Sequence, residues 1–455
     1  MDTSDTTKAR GAEHMSNTLS AEHAEAAAEV LEYLRSADKE SRTDAMTGPA
    51  RQILEALIGR YARTARAVRR VSPMLLPLLP GDDEFDDAPE FADFADAEAW
   101  YLANADGIAD AMVLAGQYEA DERSSQVVRA LECVLTSVHD TDRRRVLSDL
   151  ALASARRLGD KSAEVYALLN RGGAYKMANR PTQAIEDYEQ AAALVGELND
   201  TASTVAVLSR LAVAYATARH LDDAEAVLVQ VLGQAEGDDA CRGMACVNRA
   251  WVAAERGEAS VAIEHGLMGL EILRACDADK LWIIEAYLQL TTAYTSLGDL
   301  QEARRHLNEV YTIFASGFET FPMRISTALA SGEILLARGN HLEAMAAFQG
   351  VMLLQAAGPS PYRMADTVDG MGRVLFEMGE YGLAFDEHNV ALAERERAGE
   401  PFATARTGYY LARAKFASGC LDQAALLRDQ ALLKLAGIVD PAADALRAQL
   451  NQLSS

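Results

Sequence analysis

One alanine recurs seven times along this chain: Ala184, Ala224, Ala262, Ala303, Ala344, Ala384 and Ala424, each within two residues of forty from the last. A fixed period of this size marks a stack of like units, each burying its apolar face on the next. Five residues before the alanine stands a glycine in five units: Gly257, Gly298, Gly339, Gly379 and Gly419. Glycine accepts the left-handed backbone that ends one helix and begins a tight turn. The alanine then falls early in a second helix, where a larger side chain would hold the two helices apart. Four residues on comes a bulky apolar residue (Tyr188, Leu228, Leu307, Phe348). Seven on comes a small or branched one (Ala191, Val231, Val310, Val351, Ala391, Ala431). These offsets share one helical face. Nine residues before the alanine, Tyr175, Tyr215 and Tyr294 fill an aromatic slot of the first helix, with Leu335 and Leu375 as aliphatic replacements.

The order glycine, alanine, bulky apolar residue resembles the tetratricopeptide repeat. The departure is length, about forty residues against the family's 34, the excess lying between units in stretches such as GELNDT and AEGDDA. The resemblance implies an all-α, right-handed superhelical solenoid of helix-turn-helix repeats, with seven repeats over residues 161–436. Composition agrees: 49% of residues are hydrophobic, only 6% aromatic, and proline is scarce, which favours helices over strands. Asp440 and Pro441 make an N-cap and first-turn pair, so residues 437–455 read as a C-terminal cap helix.

The net charge of −25, from 68 acidic against 43 basic residues, repels phosphate backbones and argues against direct nucleic-acid binding. The five cysteines are scattered with no CxxC pair, so neither a disulfide framework nor a zinc site is expected. They read as mostly buried small apolar residues in a reducing cytoplasm. The first twenty residues lack the apolar core of a signal peptide, and no stretch is long and apolar enough to span a bilayer. A cytoplasmic protein is therefore expected. None of the eight histidines falls in an HExxH motif, and no GxSxG or phosphate loop is present. His220 and His341 read as turn residues, His306 and His388 as second-helix residues with ordinary surface or core roles. No catalytic residue, metal ligand or cofactor is nominated.

Before the repeats, residues 1–20 read as a disordered tail and 21–80 as a basic helical module with helices over AEHAEAAAEVLEYLRSA and GPARQILEALIGRYARTARAVRRVS. Residues 81–98 read as an acidic linker, and 99–160 as one or two degenerate helical repeats. The second helix carries Arg60, Arg63, Arg66 and Arg70, either a partner surface or a face covered by the acidic linker. LIGRYARTARAVRRVSPMLLP followed by APEFADFADAEAWYLANADGIADAM resembles the junction that leads into the repeats of actinobacterial antibiotic-regulatory transcriptional activators. Tyr61, Thr64 and Ala65 match the first of that family's helical patterns, with Val68 in place of its next alanine and Pro77 later than its proline. Phe91, Asp93, Ala97 and Trp100 match the second, Tyr101 and Ile108 occupy its two leucine positions, and Asn104 and Gly107 replace its Glu and Asn. The chain contains no phosphate loop and no winged DNA-binding domain, so the resemblance implies the sensing half of such a regulator.

A repeat stack of this kind offers its first helices to a ligand. Fourteen residues before the register alanine stand Asn170, Asn248 and Gln289; a carboxamide donates and accepts at once and can hold an extended peptide backbone. Three residues further on come Trp251, Glu333, Arg373 and Arg413, and Arg406 and Tyr409 extend the same face. The expected function is a non-enzymatic regulatory or adaptor scaffold that binds a peptide, a protein or a small molecule in its concave groove. Its setting is bacterial transcriptional or secondary-metabolism regulation. The alternative is an atypical biosynthetic enzyme or enzyme accessory whose cavity lies inside the superhelix, and a homo-oligomer is compatible with either reading.

Overall fold

A computed structural model describes residues 49–71, 90–117, 119–138, 140–178, 180–198, 200–235, 237–318, 320–357 and 363–453. The expected tail, the helix over AEHAEAAAEVLEYLRSA and most of the acidic linker lie outside the described residues. Among the described residues there are twenty α-helices and no strands. The chain divides into two compact units, residues 1–178 with 183–207 and residues 179–182 with 208–455, each taken by itself below.

In the first unit, α1 (Pro49–Val71), α2 (Phe94–Gln117), α3 (Ser124–Ala130), α4 (Glu132–Ser137) and α5 (Thr141–Leu158) precede the pair α6 (Lys161–Met177) and α7 (Pro181–Val195). Helix α2 begins at Phe94, inside the stretch expected to be linker, because Asp93 closes its first turn by accepting from the Asp96 amide. Tyr61, Thr64, Ala65 and Val68 of α1 and Ala97, Trp100, Tyr101 and Ile108 of α2 are all buried. Most residues that resemble the antibiotic-regulator junction are therefore packing residues, while Phe91 is half-buried and Asp93 exposed.

The remaining helices are α8 (Thr201–Thr217), α9 (Leu221–Gln234), α10 (Asp239–Glu255), α11 (Ala259–Ala275), α12 (Lys280–Leu297), α13 (Leu300–Ala315) and α14 (Phe321–Ala337). They continue with α15 (His341–Ala357), α16 (Met364–Glu377), α17 (Tyr381–Ala398), α18 (Pro401–Ala417), α19 (Leu421–Lys434) and α20 (Pro441–Gln452). Helices α6 to α19 thus form seven consecutive pairs. Aspartates close the first turns: Asp160, Asp238, Asp299 and Asp440 each accept from a backbone amide three residues on.

Every register alanine is at most 3% exposed. What faces the second helix is a small residue twelve positions before the alanine, a signal absent from the sequence reading. A Cβ added at Gly172 would lie 2.5 Å from the Tyr188 ring, at Gly332 2.8 Å from Phe348, and at Gly372 2.6 Å from His388. The bulky residue four after the alanine thus rests directly on first-helix backbone, and the two helices of a pair approach through two small residues. Ala303→Leu and Ala344→Leu are each expected to overpack this contact and destabilise by about 1–3 kcal/mol. Urea denaturation followed by circular dichroism checks this, and wild-type midpoints in both variants would show the register to be misassigned.

The five glycines before the alanines all adopt positive φ, between 75° and 84°. In the second pair the same place is held by Arg219, at φ 62°. A side chain in this conformation costs roughly 1–2 kcal/mol relative to glycine. Of the cysteines, Cys133 and Cys246 are buried, Cys241 and Cys276 half-buried and Cys420 exposed, so the expectation of mostly buried thiols holds for two of five. Burial and the neighbouring Asp238 push the Cys241 thiol up to about 12, which removes its nucleophilic form at neutral pH.

Candidate functional site

The nine residues nominated for the groove fall on first helices, and the structure divides them. Asn170, in the first unit, is 1% exposed. Its carboxamide oxygen accepts from Arg144 Nη2 at 3.3 Å and its nitrogen donates to the Tyr166 carbonyl at 3.1 Å. The expectation that it lines an open wall is corrected: Arg144, itself buried, has taken the place of a ligand.

The other eight lie in the second unit. Asn248 on α10 is 9% exposed, and its carboxamide nitrogen is buried with no hydrogen-bond partner. An unmet buried donor costs about 1–3 kcal/mol. Trp251, one turn further along α10, and Gln289 on α12 are half-buried.

Glu333 on α14 and Arg373 on α16 occupy the same slot one repeat apart, and they meet. Arg373 Nη1 donates to Glu333 Oε2 at 2.9 Å, and Nη2 donates to the other carboxylate oxygen. The Arg373 guanidinium also lies 5.7 Å from the Tyr410 ring centroid. Burial alone would weaken its charge, but the Glu333 carboxylate holds its pKa above the usual arginine value. The acidic group that Arg373 holds is the chain's own.

Helix α18 presents the rest. Arg413 lies 4.1 Å from the Phe376 ring and 5.6 Å from Tyr409, with Glu377 at 3.7 Å from Nη2. Aromatic faces on a guanidinium leave its N–H edges available for an acceptor. Tyr409 packs against Tyr410 at 5.6 Å between centroids. Arg406 is half-buried with no hydrogen bond or ion pair among the described residues, and its charge helps to hold the Asp366 carboxyl down. Asn248 is thus buried and Trp251 and Gln289 half-buried on α10 and α12, while Arg406, Tyr409 and Arg413 are half-buried on α18.

Helix α18 also takes part in a buried network that the sequence reading missed. Asp369, 3% exposed, faces His388 Nδ1 at 2.8 Å and accepts from Thr407 Oγ1 at 2.6 Å and from Arg395 Nε and Nη2 at 3.2 and 3.0 Å. Arg395 also reaches Asp366 at 2.9 Å. Burial would raise the Asp369 carboxyl, but the His388 hydrogen bond and the Arg395 charge more than offset it and hold the group below the usual carboxylate range. The network joins α16, α17 and α18. His388 and His306 are core residues, and His220 and His341 stand at helix starts.

Of the arginines of α1, Arg60 and Arg70 are exposed and Arg63 and Arg66 half-buried. A shallow apolar slot of about 310 Å³ opens between α15, α16 and α17, lined by Leu342, Met345, Met371, Leu375, Met378 and Leu383. Glu387 is the one ionisable group on its wall, so it gathers no convergent set of reactive groups. Among the described residues no cluster of three or more His, Cys, Asp or Glu could hold a metal ion. No described helix is long and apolar enough to cross a membrane.

No protein-family model matches the chain, and no curated protein matches its sequence. Solved structures do match. A Rap protein complexed with competence and sporulation factor is similar at 13% identity with a TM-score of 0.51, covering 76% of this chain and 98% of that one. NprR in complex with its cognate peptide NprX is similar at 16% identity and a TM-score of 0.48, over 64% of this chain and 83% of that one. The apo form of RapI is similar at 16% identity and a TM-score of 0.47, over 74% and 95%. At this identity the likeness concerns fold: the chain is a tetratricopeptide-like helical solenoid.

Proposed function

We propose that this protein is a non-enzymatic regulatory scaffold that binds an extended peptide segment along the first helices of its second unit. The observation that carries the proposal is the Asn248 carboxamide, buried with its nitrogen unmet. A peptide carbonyl satisfies that donor, and Gln289 is in register to hold the next stretch of backbone. Trp251 supplies apolar contact beside it. Arg406 and Arg413 attract a carboxylate at the other end of the ligand, and Tyr409 packs next to them. The Rap protein of similar fold, complexed with competence and sporulation factor, supports a ligand-binding role. We assign the action to the cytoplasm and its output to bacterial transcriptional or secondary-metabolism regulation. The regulatory output is supported by the resemblance of about residues 55 to 436 to the junction and repeats of antibiotic-regulatory activators.

The test starts with capture on the immobilised full chain followed by mass spectrometry, then calorimetry of the captured peptide. Asn248→Ala and Arg413→Ala are each expected to weaken binding by about 1–3 kcal/mol. Unchanged affinity in both, with circular dichroism intact, would move binding off this face.

A further inference from the structure

Arg219 stands where five sister turns have glycine, and its side chain is 11% exposed. The guanidinium lies 3.7 Å from the centre of the Phe402 ring, in the first turn of α18. Nη2 is 2.7 Å from Asp440 Oδ2, at the start of α20, and 3.1 Å from the Glu255 carbonyl, while Nη1 is 3.1 Å from Glu255 Oε2. The next turn touches the same helix: a Cβ added at Gly257 would lie 3.7 Å from Ala442 Cβ. Two successive turns near the start of the second unit therefore meet the N-terminus of its last helix.

We propose that this contact is a latch that joins the two ends of the second unit, and that it opens and closes as a unit about an intact helical stack. The two sides of α20 differ in kind. Ala443, Leu446 and Leu450 sit in a continuous apolar cluster with Ala405, Ala431 and Leu435, so α20 stays with α18 and α19. The other side meets the early turns through the Asp440–Arg219 ion pair and the Ala442–Gly257 approach, while the Arg219 guanidinium lies on the Phe402 ring of α18. A buried ion pair gains Coulomb energy but loses the hydration of both charges, and the two nearly cancel. Arg219 Nε has no partner in the closed contact, which subtracts further from it. Opening rehydrates all of these groups and leaves the helix pairs untouched. The left-handed turn accepts arginine at a conformational disadvantage, which the contacts of its side chain offset. Phe402 and Tyr409 both pack into the α18–α20 cluster, which places the latch on the helix that carries Arg406 and Arg413. The geometry of the latch stands whether or not that helix binds a peptide.

The test uses the full chain without any ligand. Arg219→Gly restores the residue of the sister turns, and Asp440→Asn removes the charge while keeping an acceptor for the Ala443 amide. Hydrogen exchange read by mass spectrometry is expected to speed up about tenfold or more at residues 253–260 and at the start of α20 in both variants. Protection in α12 to α17 should be unchanged, and the radius of gyration by X-ray scattering should increase. Wild-type exchange at both places in both variants would overturn the latch. So would accelerated exchange throughout α12 to α17, which would make the contact part of the fold.

Discussion

Asp369→Ala is expected to destabilise the second unit by about 3–5 kcal/mol at neutral pH, the range for removing one partner of a buried ion pair. The carboxylate faces groups from two neighbouring helices, His388 and Arg395 of α17 and Thr407 of α18. Its loss strands the Thr407 hydroxyl and one face of the Arg395 guanidinium in a site that excludes water. Arg395 keeps Asp366 and Glu400, so the α17–α18 connection loosens before it melts. The same network sets an acid limit. The Asp366 and Asp369 carboxyls are both held below their ordinary range: burial pushes each up, and the surrounding arginines, with His388 at Asp369, more than offset it. Groups depressed in the folded state contribute stability in full above the unfolded carboxylate pKa, about 4, and lose it as pH falls through the folded value. Wild-type stability should therefore hold from neutral pH to about pH 5 and decline below it. Asp369→Ala should start lower and decline less steeply. Urea titrations across pH 3–7 test both statements, and parallel pH profiles for the two proteins would remove Asp369 as the origin of the acid loss.

Phe348→Ala is expected to cost about 3–5 kcal/mol, the range for truncating a fully buried aromatic residue. The ring touches the backbone of two first helices at once. A Cβ added at Gly332 would lie 2.8 Å from it and one added at Gly370 2.6 Å, so it binds the fifth pair to the sixth. Nothing short of a backbone shift fills the space when it is removed. Gly370→Ala alone should cost about 1–3 kcal/mol by overpacking. In the Phe348→Ala background the added methyl has room, so the two effects should fall short of additive. A double-mutant cycle by chemical denaturation reads this. Strict additivity would show that Phe348 and Gly370 do not share the contact.

The candidate site was only partly legible. Asn248, Trp251 and Gln289 are proposed from register alone, because a helical period tells which positions of successive units are equivalent. The same register selected Asn170, Glu333 and Arg373, whose polar atoms the fold has already spent on Arg144 and on each other. Equivalent slots need not have equivalent neighbours, and the neighbour decides whether a polar group is open to a ligand. The Asp369 network escaped notice because its members are ordinary residues on three helices, with no spacing that marks them as a set.

The sequence by itself determined the repeat. A small residue every forty positions, glycine at the turn and a bulky residue one turn on are local requirements of a helix pair, and local requirements leave a period in the chain. Arg219 in a glycine slot was visible there too, as a break in the pattern. Its partners Phe402 and Asp440 were not, since they are set by the rotation accumulated over the four and five pairs that intervene. Each pair adds a small angle that no single repeat encodes, and only the folded second unit brings its two ends together.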